Sequence, residues 1–284
     1  MAGLLESRVA VITGGTRGLG YAIAEAYAAE GAAVVVASRS PDAVARATKR
    51  IESAGRRASG LACDVSDMTQ VRALADHARN TFGRLDIWVN NAGIAGAFGP
   101  TLGTPAEHFM RVIQTNIVGT YNGSRVAMQH FVAQGRGKLI NLAGRGDRKP
   151  TPLQNAYAPS KAWVRSFTLA LAEEYRTSGV GVFAFNPGLV VTELLTEVEV
   201  VPGYAERLRP LETVIRLWGN LPAIPAHKAV WLASAATDGK TGMEVRVLTP
   251  ARLIGGVLRE GVRRLLRRPA EEIKVNAHPL EGPV

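Results

Sequence analysis

Short β-branched runs, each followed by a helix-length segment, constrain what this chain can fold into more than any other feature of it. Arg8 to Thr13 is the first such run and Ala33 to Ala37 the second; Leu61 to Cys63, Leu85 to Val89, Lys138 to Leu142 and Val180 to Phe185 follow. Apolar runs this short, without polar alternation, suit strands covered on both faces. The segments between them carry helix punctuation. Tyr21 to Glu30 is alanine-rich and stops at Gly31, while Ser40, Pro41 and Asp42 supply a cap, a first-turn proline and a first-turn acid to a segment that Gly55 ends. Thr104, Pro105 and Glu107 predict a capping box opening a helix through Phe109, Val112, Ile113 and Asn116. Alternation on this scale predicts an α/β fold built on a doubly wound parallel sheet with right-handed crossovers.

At 284 residues the chain can bury one substantial core, and no internal repeat or low-complexity linker divides it. Hydrophobic residues at 46% and charged residues at 20% exclude a globally disordered chain. Cys63 is the only cysteine and has no partner for an internal disulfide; together with an N-terminus that enters a strand without a signal-peptide pattern, it predicts a cytoplasmic protein. No apolar run approaches the roughly 20 residues that span a bilayer. The net charge of +10 is concentrated at Arg252, Arg259, Arg263, Arg264, Arg267 and Arg268. We read it as solvated surface, with no nucleic-acid partner expected. The five histidines, His77, His108, His130, His227 and His278, lack close ligand spacing, so no metal site is expected.

Doubly wound sheets bind ligands beyond the carboxyl ends of their strands, where strand order reverses. The loops after the strands are therefore the places to search. Thr13-Gly14-Gly15-Thr16-Arg17-Gly18-Leu19-Gly20 joins the first strand to the first helix. A glycine turn there lets backbone approach a pyrophosphate closely while the helix N–H groups face it. The second strand runs into Ser38 and Arg39, where an NAD-binding chain usually presents an acid to the ribose 2'-hydroxyl. A guanidinium matches a phosphate instead, so Arg39, with Arg17 as a second charge, predicts NADP(H) as cofactor; the plainer alternative is two solvated arginines.

Tyr157 and Lys161 stand one helical turn apart and share a face. An ammonium beside a phenol favours the phenolate and lowers the tyrosine pKa toward the working range of a general acid/base.

The order and spacing of Thr13-Gly14-x-x-x-Gly18-x-Gly20, Asp64-Val65, Asn90-Asn91-Ala92-Gly93, Asn116, Tyr157-x-x-x-Lys161 and Pro187-Gly188 followed by Thr192 resemble the short-chain dehydrogenase/reductase family over roughly residues 5 to 250. The resemblance implies a single Rossmann domain of three α/β/α layers over 1–250, followed by an extension over 251–284. It implies that Gly14, Thr16, Arg17, Gly18 and Leu19 surround the cofactor phosphates, and that Asp64 and Val65 contact the adenine. Asn91, Ala92 and Gly93 would line the adenosine ribose side, and Pro187, Gly188, Val190 and Thr192 would hold the nicotinamide. Asn116, Tyr157 and Lys161 would be the catalytic residues: Tyr157 moves the proton, Lys161 also binds the nicotinamide ribose, and Asn116 supports Lys161 through water.

One position departs from the family pattern. The serine usually found thirteen positions before the tyrosine is Gly144 here, and the neighbouring position that some relatives use is Ala143. Losing one such donor costs about a hundredfold to a thousandfold in rate. Arg145, Thr151 and Asn155 are candidate replacements, and Gly144→Ser is expected to raise reduction of a small activated ketone by about tenfold or more.

Residues 193–225 form the expected substrate lid, with Leu194, Leu195, Val198, Val200, Val201, Tyr204, Leu208, Leu211, Ile215, Leu217 and Trp218 either facing a hydrophobic substrate or packing on the sheet. Beyond Leu248, the residues Ile254, Val257, Leu258, Val262, Leu265 and Leu266 recur on one face of a basic amphipathic helix. That helix is expected to dock on its own domain or a neighbouring subunit rather than on an anionic membrane surface, and Glu281 to Val284 are expected to be mobile. The family resemblance implies a homodimer or homotetramer through the helices of Asn116 and Tyr157, on which Phe109, Ile113, Phe167 and Leu171 are apolar. The leading expectation for function is NADP(H)-dependent reduction or oxidation of a hydrophobic carbonyl or alcohol. The alternatives are a non-redox cyclisation, isomerisation or elimination, and a nucleotide-binding scaffold without catalysis.

Overall fold

The computed structural model describes residues 3–266, 269 and 273–280, with the side chain of Arg264 excepted. The β-branched runs form the strands β1 (Val9–Thr13), β2 (Ala33–Ser38), β3 (Ala58–Ala62), β4 (Ile87–Asn90), β5 (Gly137–Leu142) and β6 (Val180–Asn186). Two-residue β7 (Leu189–Val190) pairs with β9 (Gly219–Asn220), β8 (Glu197–Val200) with β11 (Asn276–Pro279), and β10 (Met243–Arg246) completes the main sheet. The sheet has seven strands in the order β10-β6-β5-β4-β1-β2-β3, every pair parallel.

Side chains alternate across each strand, and both faces are apolar because helices cover both. Ala10, Ile12, Val34, Val36, Ile140 and Phe183 pack on one face with α1 (Gly18–Ala29), α2 (Pro41–Ser53) and α9 (Ala223–Ala233). Val9, Val11, Val35, Trp88, Leu139 and Val182 pack on the other with α3 (Met68–Phe82), α5 (Gly119–Ala133) and α6 (Tyr157–Glu174). The expected doubly wound, three-layer Rossmann architecture is present. Strand order reverses between β1 and β4, so the loops leaving them part and open a cleft.

Local signals succeeded where a side chain had one obvious partner. Ser40 caps α2 by accepting the Ala43 N–H at 3.2 Å, with Pro41 in the first turn. The capping box at Thr104 and Glu107 is not made. The Thr104 hydroxyl donates to the Pro100 carbonyl (3.1 Å) and closes a short 3-10 turn, leaving α4 (Ala106–Val112) to begin without a side-chain cap. The helix then widens into a π turn, Ile113–Val118, before α5. Leu171, expected outward, packs against the α3–α5 side of the core. The third strand starts three residues earlier than expected, because Ala58–Ala62 sits at the sheet edge and has little β-branched content to mark it.

The charged edge strand β10 was not anticipated. Its Glu244 accepts two hydrogen bonds from Arg165 (2.6 and 2.7 Å) and one from Arg148 (2.7 Å). These bonds, Arg165 first, hold the carboxyl at about 2, below the ordinary glutamate value of 4.5. A depressed folded-state pKa means that the stabilisation is complete above the ordinary value and lost as pH falls toward the folded one. Glu244→Gln should therefore melt below wild type at neutral pH, and the gap should narrow at about pH 3. A gap that persists unchanged in acid would contradict this account of the ion pair.

The C-terminal helix α10 (Pro250–Leu265) is present, and the face it turns to its own domain is not the apolar one. Gly256 lies against α8 (Arg209–Trp218), where an added Cβ would come 2.4 Å from the Leu217 carbonyl oxygen. Trp218 Nε1 donates to the Leu253 carbonyl (3.0 Å), Arg259 to the Leu217 carbonyl (3.0 Å) and Arg252 to Asn220 (3.3 Å). Close backbone approach and arginine hydrogen bonds thus set the docking face, while Ile254, Val257, Leu258, Val262 and Leu265 point outward. Arg267, Arg268 and Glu281 to Val284 lie outside the described residues, as does the side chain of Arg264. Among the described residues, no helix is long and apolar enough to cross a membrane.

Candidate active site

The carboxyl ends of the central strands open onto a cleft of ≈ 550 Å³. Its floor is a polar staple. The Thr13 hydroxyl donates to the Val89 carbonyl (3.3 Å) and accepts the N–H groups of Asn91 and Ala92, both at 3.1 Å. The Asn91 amide returns to the carbonyls of Thr13 (2.9 Å) and Gly14 (3.1 Å). The Asn91 side chain therefore ties the two diverging loops together, although the residue still lines the cleft with Ala92 and Gly93.

The glycine turn lines one end through Gly14, Thr16, Arg17, Gly18 and Leu19. Gly14 and Gly18 hold φ of 61° and 54°, the left-handed region that favours glycine. Helix α1 starts with no side-chain cap at Arg17. An uncapped helix N-terminus behind a left-handed glycine turn fits a phosphate-bearing ligand, since the first-turn N–H groups have no intrahelical acceptor. Ser38 and Arg39 stand on the same wall, Arg39 exposed. Arg17 is not free: its guanidinium pairs with Glu193, at the start of α7 (Glu193–Thr196), across the cleft mouth. Asp64 lines the cleft beside buried Val65, and its Oδ1 accepts from the Ser66 N–H (2.9 Å) and hydroxyl (2.7 Å). Pro187, Gly188, Val190 and Thr192 line the far side, with the Gly188 N–H fixed on Asn186 Oδ1 at 3.0 Å.

Tyr157 and Lys161 share one face at the first turn of α6 and both line the cleft. Lys161 Nζ donates to the Leu142 carbonyl (2.9 Å) and stands 5.7 Å from the centre of the Tyr157 ring. Burial pulls the Lys161 ammonium down to about 8. Burial, then the charge of Asp147, pushes the Tyr157 phenol up to about 12, with Arg145 opposing. The expected lowering of the tyrosine pKa by lysine is not what this geometry gives, because the ammonium is committed to a carbonyl and not to the phenol. Asn116 is fully buried outside the cleft lining. Its amide accepts the Ile94 N–H (2.9 Å) and donates to the Ile94 carbonyl and the Ser160 hydroxyl, both at 3.0 Å. A Cβ on Gly93 would lie 3.4 Å from Asn116 Oδ1 and 3.6 Å from Lys161 Nζ, so the bare glycine keeps the approach to Lys161 open.

A Cβ at Gly144 would fall 2.9 Å from the Tyr157 hydroxyl and 3.3 Å from Lys161 Cγ. The phenol fills the space beside the glycine. A serine at 144 therefore needs the tip of the Tyr157 side chain to give by a small amount, and the gain expected of Gly144→Ser depends on that adjustment. The loop itself is held. Asn186 Nδ2 donates to the Gly144 carbonyl (3.1 Å) and to Asp147 (2.9 Å), and Arg246 grips both Asp147 oxygens at 2.6 and 2.5 Å. Of the three candidate replacements, Arg145 alone lines the cleft; Thr151 does not, and Asn155 donates to Thr101. Gln154, which the sequence reading did not single out, lines the cleft too.

Residues 193–225 divide their apolar side chains between two tasks. Leu194, Leu195 and Leu211 line the cleft. Val198, Val200 and Leu208 form a separate small core with Phe98, Tyr204, Leu211 and Val275, closed where β11 pairs alongside β8. Among the described residues no cluster of His, Cys, Asp or Glu could hold a metal ion.

Residues 8–200 match the family model described as short chain dehydrogenase. This chain belongs to the short-chain dehydrogenase/reductase family. The family member is 40% identical to 3beta-hydroxysteroid dehydrogenase 1 of Eggerthella lenta over 84% of its own length and 91% of that protein. It is 37% identical to 4-formylbenzenesulfonate dehydrogenase of Comamonas testosteroni, over 72% of this chain and 82% of the relative. Its structure superposes on a gluconate 5-dehydrogenase from Burkholderia cenocepacia, solved in complex with NADP and tartrate, with a TM-score of 0.76 at 28% identity, covering 86% and 94% of the two chains. A 3-ketoacyl-(acyl-carrier-protein) reductase from Brucella melitensis, complexed with NADH, gives a TM-score of 0.76 at 31% identity over 86% and 97%.

Proposed function

We propose that this family member is an NADP(H)-dependent oxidoreductase that interconverts a hydrophobic ketone or aldehyde and its alcohol. The observation that carries this reading is one cleft with an uncapped helix N-terminus and Arg39 at one end and the Tyr157 phenol among apolar lid residues at the other. A nicotinamide dinucleotide bound there would supply or accept the hydride, held by the glycine turn, Asp64, Val65 and the Pro187 to Thr192 segment. Neighbours in the family were solved with either NADP or NADH, so the choice falls to this chain's own residues. Arg39 offers a guanidinium to a 2'-phosphate, and Ser38 offers no carboxylate to a free ribose hydroxyl. A charge-assisted bond of this kind is worth about 1.5 to 3 kcal/mol, enough for at least about tenfold discrimination. Calorimetry should find NADPH binding more tightly than NADH, with Arg39→Ala weakening mainly NADPH. Equal dissociation constants in wild type would overturn the assignment.

Tyr157 holds its proton at neutral pH, which suits a general acid that protonates the carbonyl oxygen as the carbon is reduced. Lys161, below about pH 8, keeps a positive charge near the developing alkoxide. Asn116 acts on this pair through position, by holding the Ile94 turn. One observation favours a second reading: without a hydroxyl at Gly144 the substrate oxygen lacks its usual second donor, as a non-redox step would tolerate. A product formed without NADPH consumption, of the substrate's mass or of that mass less a water, would identify that case.

We also propose a homo-oligomer built on α4, α5 and α6. Trp163 and Phe167 stack at 4.7 Å, Tyr121 meets Phe167 at 6.2 Å, and Phe109 on α4 is exposed. A two-fold contact would pair such a patch with itself. A monomer mass by light scattering at micromolar concentration would exclude it.

A further inference from the structure

At the substrate end of the cleft, one polar side chain has no partner. Gln154 lies three residues before Tyr157, and its backbone carbonyl accepts the Ala158 N–H at 2.9 Å, so it belongs to the turn that launches α6. Side chains three apart on such a turn are neighbours, their Cβ atoms about 5–6 Å apart. Gln154 lines the cleft together with Tyr157, Leu189, Val190 and Leu195. Its Oε1 is shielded from solvent and accepts no hydrogen bond from any described residue.

An amide oxygen shielded from water and left unpaired is costly, and a purely structural position would be better served by an apolar side chain of similar size. In a binding cleft the ligand can supply the missing partner, and a few placed polar groups in an apolar wall are what fix a ligand's orientation. Arg145 is the other polar candidate near Tyr157, but it is exposed.

We propose that Gln154 is a specificity-determining residue that reads a second polar group on the substrate. This rests on the reductase reading above and narrows it. The unpaired atom is an acceptor oxygen, so it calls for a neutral donor such as a hydroxyl. Gln154 and Tyr157 line the same cleft three residues apart, which puts that group near the carbon being reduced. The substrate class is therefore an apolar ketone, or the matching secondary alcohol, that carries a hydroxyl near the reacting carbon.

The test compares two apolar ketones that differ only in a hydroxyl on the carbon beside the carbonyl, using wild type, Gln154→Leu and Gln154→Glu. Wild type should prefer the hydroxyketone in kcat/KM by about ten- to a hundredfold. Gln154→Leu should abolish that preference while NADPH affinity and melting temperature hold. Gln154→Glu, which keeps an acceptor for the hydroxyl, should retain part of it. An undiminished preference in Gln154→Leu, or none in wild type, overturns the proposal. Should neither ketone be reduced, the reductase reading falls but Gln154 is still tested: calorimetric binding of the same pair to the NADP-loaded chain should show the preference in wild type and its loss in Gln154→Leu. Equal binding of the pair to wild type refutes the assignment.

Discussion

Replacing Tyr157 with phenylalanine should lower carbonyl reduction by about a hundredfold to ten-thousandfold, the range expected when a positioned general acid is removed. Such a loss could reflect chemistry or collapse of the site, and the structure separates the two. Lys161 is anchored on the Leu142 carbonyl at 2.9 Å, not on the phenol. Removing the hydroxyl leaves that anchor, the helix turn and the packing of the ring in place. NADPH affinity by calorimetry and the melting temperature should therefore stay near wild type while NADPH consumption with an apolar ketone falls. A Tyr157→Phe protein that reduces ketone at the wild-type rate would remove Tyr157 from the mechanism.

Gly20→Ala should have the larger effect on the cofactor end. A Cβ there would sit 2.1 Å from the Gly14 carbonyl oxygen and 2.3 Å from Asn91 Nδ2. The first contact is backbone in a left-handed turn and the second is the amide that staples the β1 and β4 loops. Neither can move without opening the phosphate cradle. Overpacking of this severity costs about 3 kcal/mol or more, and NADPH affinity should drop by well over tenfold. Gly255→Ala is the matched control: it lies in α10 with nothing within 4 Å of the added Cβ, so relief of helix entropy should stabilise the chain by about 0.5–1 kcal/mol. If Gly20→Ala melted and bound NADPH like wild type, the close approach at this turn would have no functional weight.

Period and punctuation made the sheet legible. Valine-rich β1, β2 and β6 are buried on both faces, and glycine turns, caps and the Tyr157 to Lys161 spacing carry their meaning within a few residues. All the expected cofactor residues line one cleft. What sequence could not give was the outcome of competition between partners distant in the chain. Arg17 meets Glu193 across 176 positions, Asn91 serves the glycine turn before any ligand, and Lys161 chooses a carbonyl over the phenol. Strand β10 was hidden because its charges find partners on α6 and on the Gly144 to Arg148 loop. In α10, Gly256 overrode the apolar stripe, because a residue without a side chain lets a backbone approach that no hydropathy pattern records. Gln154 drew no notice as a single glutamine before the motif, and only its shielded, unpartnered oxygen gives it significance.

The central claim is that hydride moves between the nicotinamide and a substrate carbon beneath Tyr157. It is tested most directly by supplying NADPH deuterated at the transferring position with an apolar, α-oxygenated ketone and analysing the product by mass spectrometry. The account predicts an alcohol with one deuterium on the carbinol carbon, formed by wild type and at least about a hundredfold more slowly by Tyr157→Phe. A rearranged or dehydrated product that carries no deuterium, formed while NADPH is not consumed, would contradict it.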